Sequence, residues 1–540
     1  MYGQALRFCR TKRKRIYPDH ALPLDVNTDR AHRRNIAVPV LLLVILLVPS
    51  MALTQLIAGS GAKSLDWSPE GQVTDPNDYF TDNIGKLVGY IDKGTTTAVY
   101  HGRMYVAWET SERKKGGTMI YVRSLKGNIW SDIASVAGVE DGIVDTEPTL
   151  AVAGDTLYLA WQHAGSDDTD VMCRALSNDA WSDCGHISPQ GNFGMDEAPS
   201  LISYHGDLYA AWVTHSVVTG KDNDGDIALR RYTGVDWESP PMIVNNIPAN
   251  GYDAQPKLAV FKDKLVVTWV TRDSKITNGT DMDIVFREYD GANWGQFHEV
   301  TQPDGVYDDD SYPTVAVFLD KLYIAWETPG GKIGDSDIAV ATWDGQQVAG
   351  RWALNPPHNL AADEHPFAKV FGDRLFVTWN SNSPNYTSDG DDDIAIAYNN
   401  GVQWSAPEEV TPQDMEGGLA VVDRYPVLES YNGGLYDIWE ADDQRPSNHI
   451  TDASDLMYRR TPPERTKMDY LMVGLIILTV IIAMVFVAYW AFGKPRRTSR
   501  EKRYMKRKER ERLRVGPDEF IIRKRGGRRG RGRKRKKKFS

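Results

Sequence analysis

LYLAW, at residues 157–161, is one copy of a short motif that occurs seven times and decides the fold. Apolar residues alternate before a terminal tryptophan, and this period of two is typical of a β-strand. Successive copies lie 51 to 60 residues apart, and all but the first have a proline thirteen residues before the tryptophan. The seven tryptophans are Trp108, Trp161, Trp212, Trp269, Trp326, Trp379 and Trp439.

Each repeat has room for four short strands separated by turn residues, and repeats of this kind form the blades of β-propellers. A second tryptophan follows in six repeats but is missing after the seventh motif. The segment that begins at Trp67 (WSPEGQVT) matches the one that begins at Trp404 (WSAPEEVT). The sequence therefore predicts an all-β fold over residues 62–461. We expect a seven-bladed β-propeller with four-stranded antiparallel blades, in which the N-terminal strand closes the last blade.

Two long apolar runs flank the repeats, at residues 36–57 and 468–492. About 20 apolar residues suffice to span a bilayer, so both runs are predicted transmembrane helices. The first run is either an uncleaved signal-anchor or a cleavable signal. Residues 1–35 and 493–540 are basic and are predicted to be cytoplasmic.

Charge is distributed unevenly along the chain. Residues 62–461 carry 28 Lys and Arg against 63 Asp and Glu, whereas residues 462–540 carry 26 against 7. Basic residues remain on the cytoplasmic side of a membrane. The sequence thus predicts a two-pass protein of the cell membrane, with an extracytoplasmic propeller and both termini in the cytoplasm.

Two further features fit an extracytoplasmic location. Asn278 and Asn385 begin glycosylation sequons. Cys173 and Cys184 flank one predicted hairpin, and in an oxidising compartment they are placed to form a disulfide. The alternative for the cysteines is two separate buried thiols.

The hairpins TGVDW, DGANW and NGVQW resemble degenerate Asp-box repeats of the sialidase-like (BNR-repeat) β-propeller superfamily. Only the Gly and Trp of the pattern remain in several copies, and Asp290 precedes Gly291 in one. The resemblance covers residues 64–461 and implies the fold. Sialidases also carry a Tyr/Phe-Arg-Ile-Pro motif, which this sequence lacks, so sialidase activity is not expected.

An aspartate stands sixteen residues before every motif tryptophan, at the predicted start of each inner strand. Seven carboxylates at this position are predicted to ring one mouth of the central channel, with His365 and Arg424 near the same mouth. The alternative is structural, in which each aspartate accepts hydrogen bonds within a turn. The ring comprises Asp92, Asp145, Asp196, Asp253, Asp310, Asp363 and Asp423.

Two acidic loops are rich in the oxygen ligands that Ca²⁺ prefers. They are predicted calcium sites, and the alternative is a solvated acidic surface. No other cofactor is expected. The candidate ligands are Asp222, Asp224, Asp226, Asp389, Asp391 and Asp393.

No catalytic constellation stands out, so the sequence favours a cell-surface binding module over an enzyme. The expected ligand is an envelope glycan, a surface protein or a cationic molecule. One alternative is a glycoside hydrolase or lyase on a sialidase-like scaffold. Another is a scaffold that links the cell surface to the polybasic tail, which is suited to anionic lipid or to RNA.

Overall fold

A computed structural model describes the protein at residues 64–74, 79–81, 87–89, 91–112, 117–137, 143–165, 168–191, 194–217, 224–246, 251–277, 281–301, 309–329, 336–355, 361–385, 392–411, 421–443, 454–463, 467–492 and 499–514. The chain divides into two units, residues 1–463 and residues 464–540. The first predicted span, residues 36–57, lies outside the described residues. Asn278, Asp222, Asp389 and Asp391 lie outside them too.

The first unit is all β. It begins with strand β1 (Gly71–Gln72) and a small hairpin of β2 (Tyr79–Thr81) and β3 (Leu87–Gly89). Every later strand belongs to a set of consecutive antiparallel strands, numbered here in chain order. Set 1 is β4 (Ile91–Tyr100), β5 (Arg103–Glu112), β6 (Gly117–Lys126), β7 (Ile129–Trp130) and β8 (Ala134–Ala137). Set 2 is β9 (Val144–Ala153), β10 (Thr156–Ala164), β11 (Thr169–Ser177) and β12 (Ala180–His186).

The next four sets repeat the same up-and-down order. Set 3 is β13 (Asp196–Tyr204), β14 (Asp207–Thr214), β15 (Asp226–Tyr232) and β16 (Met242–Ile243). Set 4 is β17 (Asp253–Phe261), β18 (Lys264–Thr271), β19 (Asp283–Tyr289) and β20 (Trp294–Glu299). Set 5 is β21 (Ser311–Phe318), β22 (Lys321–Pro329), β23 (Ser336–Trp343) and β24 (Val348–Ala353). Set 6 is β25 (Asp363–Phe371), β26 (Arg374–Ser381), β27 (Asp393–Asn399) and β28 (Glu408–Glu409).

Set 7 joins the two ends of the repeat region. It contains β29 (Val421–Tyr431), β30 (Gly434–Asp443) and β31 (Ser454–Arg460), and β1 pairs with β31 as its fourth strand. Next to β1, the Val73 amide donates to the Leu456 carbonyl at 2.7 Å. The Val73 carbonyl accepts a hydrogen bond from the Arg123 guanidinium of set 1. The N-terminal strand therefore completes the last set, as the sequence predicts.

The first strands of the sets form a closed cycle of contacts: β4 contacts β9, each contacts the next in order, and β29 contacts β4. The motif tryptophan of each set packs against the set before it. Trp379 of β26, for example, lies in one apolar cluster with Tyr323 and Val340 of set 5. Trp108 of β5 lies with Tyr436 of set 7, across the junction. These tryptophans therefore pack neighbouring sets together.

The predicted disulfide is present, joining Cys173 of β11 to Cys184 of β12. The second unit contains helix α1 (Lys467–Phe492) and helix α2 (Ser499–Arg514). Helix α1 coincides with the second apolar run, and its side chains are described only at residues 474–490. Among the residues described in full, no helix is both long enough and apolar enough to cross a membrane.

Candidate functional site

The aspartate ring has a structural role. Where their side chains are described, these carboxylates accept a hydrogen bond from the indole Nε1 of the motif tryptophan of the same set, at 2.6–3.0 Å. All are buried, with at most 6% of their surface exposed. The indole hydrogen bonds fit the structural alternative, and the ligand-facing ring stays a prediction. The six are Asp145, Asp196, Asp253, Asp310, Asp363 and Asp423; the Asp92 side chain lies outside the described residues.

A β-bulge follows each aspartate. In every set the pairing of the first two strands shifts by one residue, and the residue two positions after the aspartate has a positive φ of 51–64°. A bulge of this kind turns a side chain out of the regular alternation. Because the first strands form a closed cycle, these residues form a ring of their own, called here the bulge ring: Gly94, Glu147, Ala198, Gln255, Tyr312, His365 and Tyr425.

The bulge itself repeats in every set, so it belongs to the architecture. The side chains on it differ from set to set, and that difference marks a candidate site. Left-handed backbone costs about 1–3 kcal/mol at a residue other than glycine. Six of the seven positions bear that cost, which the surrounding strands must offset.

Three neighbouring bulge residues form an aromatic sector: Tyr312, His365 and Tyr425. The His365 ring lies 4.2 Å from the Tyr312 ring and 4.3 Å from the Tyr425 ring, between centroids. The two tyrosines are 42% and 41% exposed. The sector thus presents two open aromatic faces around a partly covered imidazole.

His365 is held in place by polar neighbours. Its Nδ1 lies 3.2 Å from Asn380 Oδ1 and 3.9 Å from Glu364 Oε2. Burial, opposed by the hydrogen bond with Asn380, lowers the pKa of His365 to about 4. The imidazole is therefore neutral near pH 7, and with Nδ1 donating to Asn380 its Nε2 is left as an acceptor.

A second carboxyl group adjoins the sector. Glu327 follows Trp326 on β22, and its Oε2 accepts the His365 backbone N–H at 3.3 Å. Burial first, and then the charge of Glu364, raise the pKa of Glu327 to about 7. A carboxyl with this pKa is about half protonated at neutral pH, and its protonated form is able to donate a proton.

Arg424 lies beside Tyr425 in the chain and is 46% exposed, in an ion pair of 2.6 Å with Asp392. The structure therefore places both His365 and Arg424 at this site, next to residues of the bulge ring. The negative charge of Asp392 partly compensates the positive charge of Arg424. The sector is therefore polar but has no strong positive potential.

The opposite side of the bulge ring is charged. Burial raises the pKa of Glu147. The charge of Lys257 opposes this rise, whereas the charges of Glu197 and Glu109 add to it. Burial lowers the pKa of Lys257, and Glu147 opposes that change. Lys257 lies on β17 and keeps solvent-accessible surface.

Two of the predicted calcium ligands that the structure describes accept hydrogen bonds from neighbouring side chains. Asp226 accepts a hydrogen bond from Asn245 at 2.8 Å, and Asp393 accepts one from Thr411 at 2.8 Å. Asp224 is described as well. No group of three or more His, Cys, Asp or Glu side chains in the described part of the chain is placed to hold a metal ion. Calcium binding stays a prediction.

Asn385 of the second sequon is exposed.

Sequence reasoning missed Tyr312, Tyr425, Glu327 and Glu364. The signal was available in the segments DTEP, DEAP, DAQP, DSYP, DEHP and DRYP, which begin at the six ring aspartates from Asp145 onward. Their first and last residues repeat, whereas the third varies, and that third residue is the bulge.

Neither a protein-family model nor a curated protein sequence matches this chain. Among solved structures, the polysaccharide lyase Uly1 is similar at TM-score 0.51 and 12% identity, over 74% of this chain and 100% of that one. A GH93 α-L-arabinofuranosidase of Fusarium graminearum with arabinobiose aligns at TM-score 0.41 and 13% identity, over 73% and 97%. The Trypanosoma rangeli sialidase with sialic acid aligns at 0.39 and 12%, over 74% and 60%. The similarity to the lyase shows a shared fold, and the fold-level resemblance that the hairpins predict is confirmed.

The ring aspartates make stability depend on pH. Burial, opposed by hydrogen bonds from neighbouring side chains, raises the pKa of Asp253 to about 8 and that of Asp310 to about 7. An unfolded aspartate titrates near about 3.9, so between these values the folded state binds more protons than the unfolded state. The contribution of these two groups to the free energy of unfolding is therefore fully present below about pH 4 and is lost as pH rises through the folded pKa values of about 7 and 8.

We expect the double variant Asp253→Asn/Asp310→Asn to flatten this fall, because an amide keeps an acceptor for the indole and does not ionise. Denaturant unfolding at pH 5 and pH 8 measures the difference. An unchanged difference in the variant would show that other groups cause it.

Proposed function

We propose that the chain is a seven-bladed β-propeller, each set being one blade, that acts as a membrane-anchored cell-surface module for binding glycans. The ligand docks on the aromatic sector. The observation that carries the proposal is the contact of Tyr312 and Tyr425 with the His365 ring between them, with both tyrosines partly exposed.

The chemistry of the sector suits a sugar. Binding sites combine aromatic surface with a few well-placed polar groups that fix orientation. Tyrosine rings offer flat faces to the apolar face of a pyranose, and their hydroxyl groups remain available for hydrogen bonds. Glu327, Glu364 and Asn380 supply acceptors and a donor for sugar hydroxyls within the same group of contacts.

The anchoring part of the proposal rests on the two apolar runs and on the basic residues that flank them. Helix α1 occupies the second run. On this proposal both runs cross the membrane, and the acidic repeat region faces outward.

The test is an array of envelope-type glycans probed with the full-length protein. Tyr312→Ala and Tyr425→Ala are each expected to weaken binding about tenfold, since one aromatic contact contributes up to about 1.5 kcal/mol. Trp352→Ala is the matched control, because Trp352 is an equally exposed ring (45%) on the outer strand β24. Loss of binding in the control alone, or in none of the three, would refute the site.

A second candidate, cleavage of the bound glycan, is favoured by the pKa of Glu327. A protonated carboxyl next to a second carboxyl is the pairing that glycoside hydrolysis uses. If the protein is a hydrolase or lyase, the mass of the arrayed glycans changes with time and Glu327→Gln abolishes that change while binding remains. Glycans that hold protein and keep their mass would favour the binding module.

A further inference from the structure

Helix α2 carries a strong positive charge. Its 16 residues, Ser499–Arg514, include nine Lys or Arg and three Asp or Glu. Glu501 in the first turn and Arg512 and Arg514 in the last turn match the helix dipole. None of its residues is buried.

Five arginines of α2 share one face. Their spacing of three and four residues keeps them within about 80° of the helix circumference over a length of about 21 Å. This arginine stripe comprises Arg500, Arg503, Arg507, Arg510 and Arg514. The other basic residues of the helix, three lysines and Arg512, lie outside the stripe, and Glu511 borders it between Arg507 and Arg514.

A row of guanidinium groups fits a row of phosphates. Each group is a planar fork that pairs with phosphate through two hydrogen bonds, which a lysine cannot do. Tyr504, 65% exposed, lies beside the stripe, four residues after Arg500 and three before Arg507. Positive charge that follows a backbone, together with an aromatic ring on which a base stacks, is how proteins bind single strands without sequence preference.

We infer that the arginine stripe of α2 is a docking surface for a single-stranded polynucleotide. This inference does not depend on the glycan site of the first unit.

A membrane surface fits the helix less well. A helix that lies in the lipid interface needs an apolar face opposite its basic one. The apolar residues of α2, namely Tyr504, Met505 and Leu513, point in three directions about 80–100° apart. They form no face that could insert between lipids.

The experiment uses the full-length protein and a 20-nucleotide oligo(U) RNA, with the dissociation constant measured over a range of salt concentrations. The variant Arg503→Gln/Arg507→Gln/Arg510→Gln removes three charges from the stripe. Each phosphate contact to a single strand contributes about 0.7 to the slope of log K against log salt, so the slope is expected to shrink by about 2. At 0.1 M salt the affinity is expected to fall by about tenfold or more.

The matched control is Lys502→Gln/Lys508→Gln/Arg512→Gln, which removes the same charge from outside the stripe. We expect this control to change the slope of log K against log salt by less than half as much as the stripe variant does. Equal losses of RNA affinity in both triple variants would overturn the inference, because net charge alone would then explain binding. Stripe-dependent binding to vesicles with anionic lipid, without stripe-dependent binding to RNA, would overturn the nucleic-acid partner. Circular dichroism of all three proteins checks that the helix is retained.

Discussion

Replacing Trp379 by alanine is expected to lower the free energy of unfolding by about 3–5 kcal/mol. Trp379 is fully buried between sets 5 and 6, so the substitution leaves a large cavity in the apolar cluster that joins them. It also removes the indole that donates to the buried Asp363 at 2.8 Å. Equilibrium denaturation in urea measures the loss.

Two further variants separate the causes. Trp379→Phe keeps most of the packing and loses only the hydrogen bond, so about 1–3 kcal/mol is expected. Trp352→Ala removes an exposed indole, and less than about 0.5–1 kcal/mol is expected. If Trp379→Ala cost no more than Trp352→Ala, the packing role of the motif tryptophans would be wrong.

The second large effect concerns the junction between the chain ends. Val73 is fully buried beside β1, in a cluster with Met104 of set 1 and Leu456 of set 7. Val73→Asp places an unpaired carboxylate in this cluster and is expected to cost about 4 kcal/mol or more. The closing strand should then detach and leave β31 as an open edge that favours aggregation.

Hydrogen exchange checks this expectation, because the amides of Val73 and Leu456 should lose protection before those of set 4. Val235→Asp is the control, since Val235 is 80% exposed. Equal stability of the two variants, with the Val73 amide still protected, would contradict closure by the N-terminal strand.

The aromatic sector shows how a repeated fold creates a unique site. The bulge has the same backbone conformation in every set, and it follows the aspartate that binds the motif tryptophan. Only the side chain on the bulge changes. On the proposed function, the ligand binds at sets 5 to 7, where these bulge residues are tyrosine and histidine, although the backbone of the bulge is the same in every set.

The acidic composition of the repeat region drew attention to a different set of residues. Asp253 and its equivalents are the most regular acidic feature of the sequence, yet they are buried. Strict repetition favoured the structural alternative, because a ligand rarely needs the same group from every repeat. A carboxylate and an indole sixteen residues apart become partners only when two strands pair, and no local pattern reveals that contact.

The sequence alone determined the strands, the repeat and the closing N-terminal strand, whereas the structure decided between a disulfide and two separate thiols at Cys173 and Cys184. These features depend on alternation, spacing and turn residues, which act over a few residues or recur at a fixed period. Tertiary structure decided which side chains are exposed. The β-bulge turns Tyr312, His365 and Tyr425 out of the alternation that the sequence displays, and the closed cycle of strands brings together residues more than 50 positions apart.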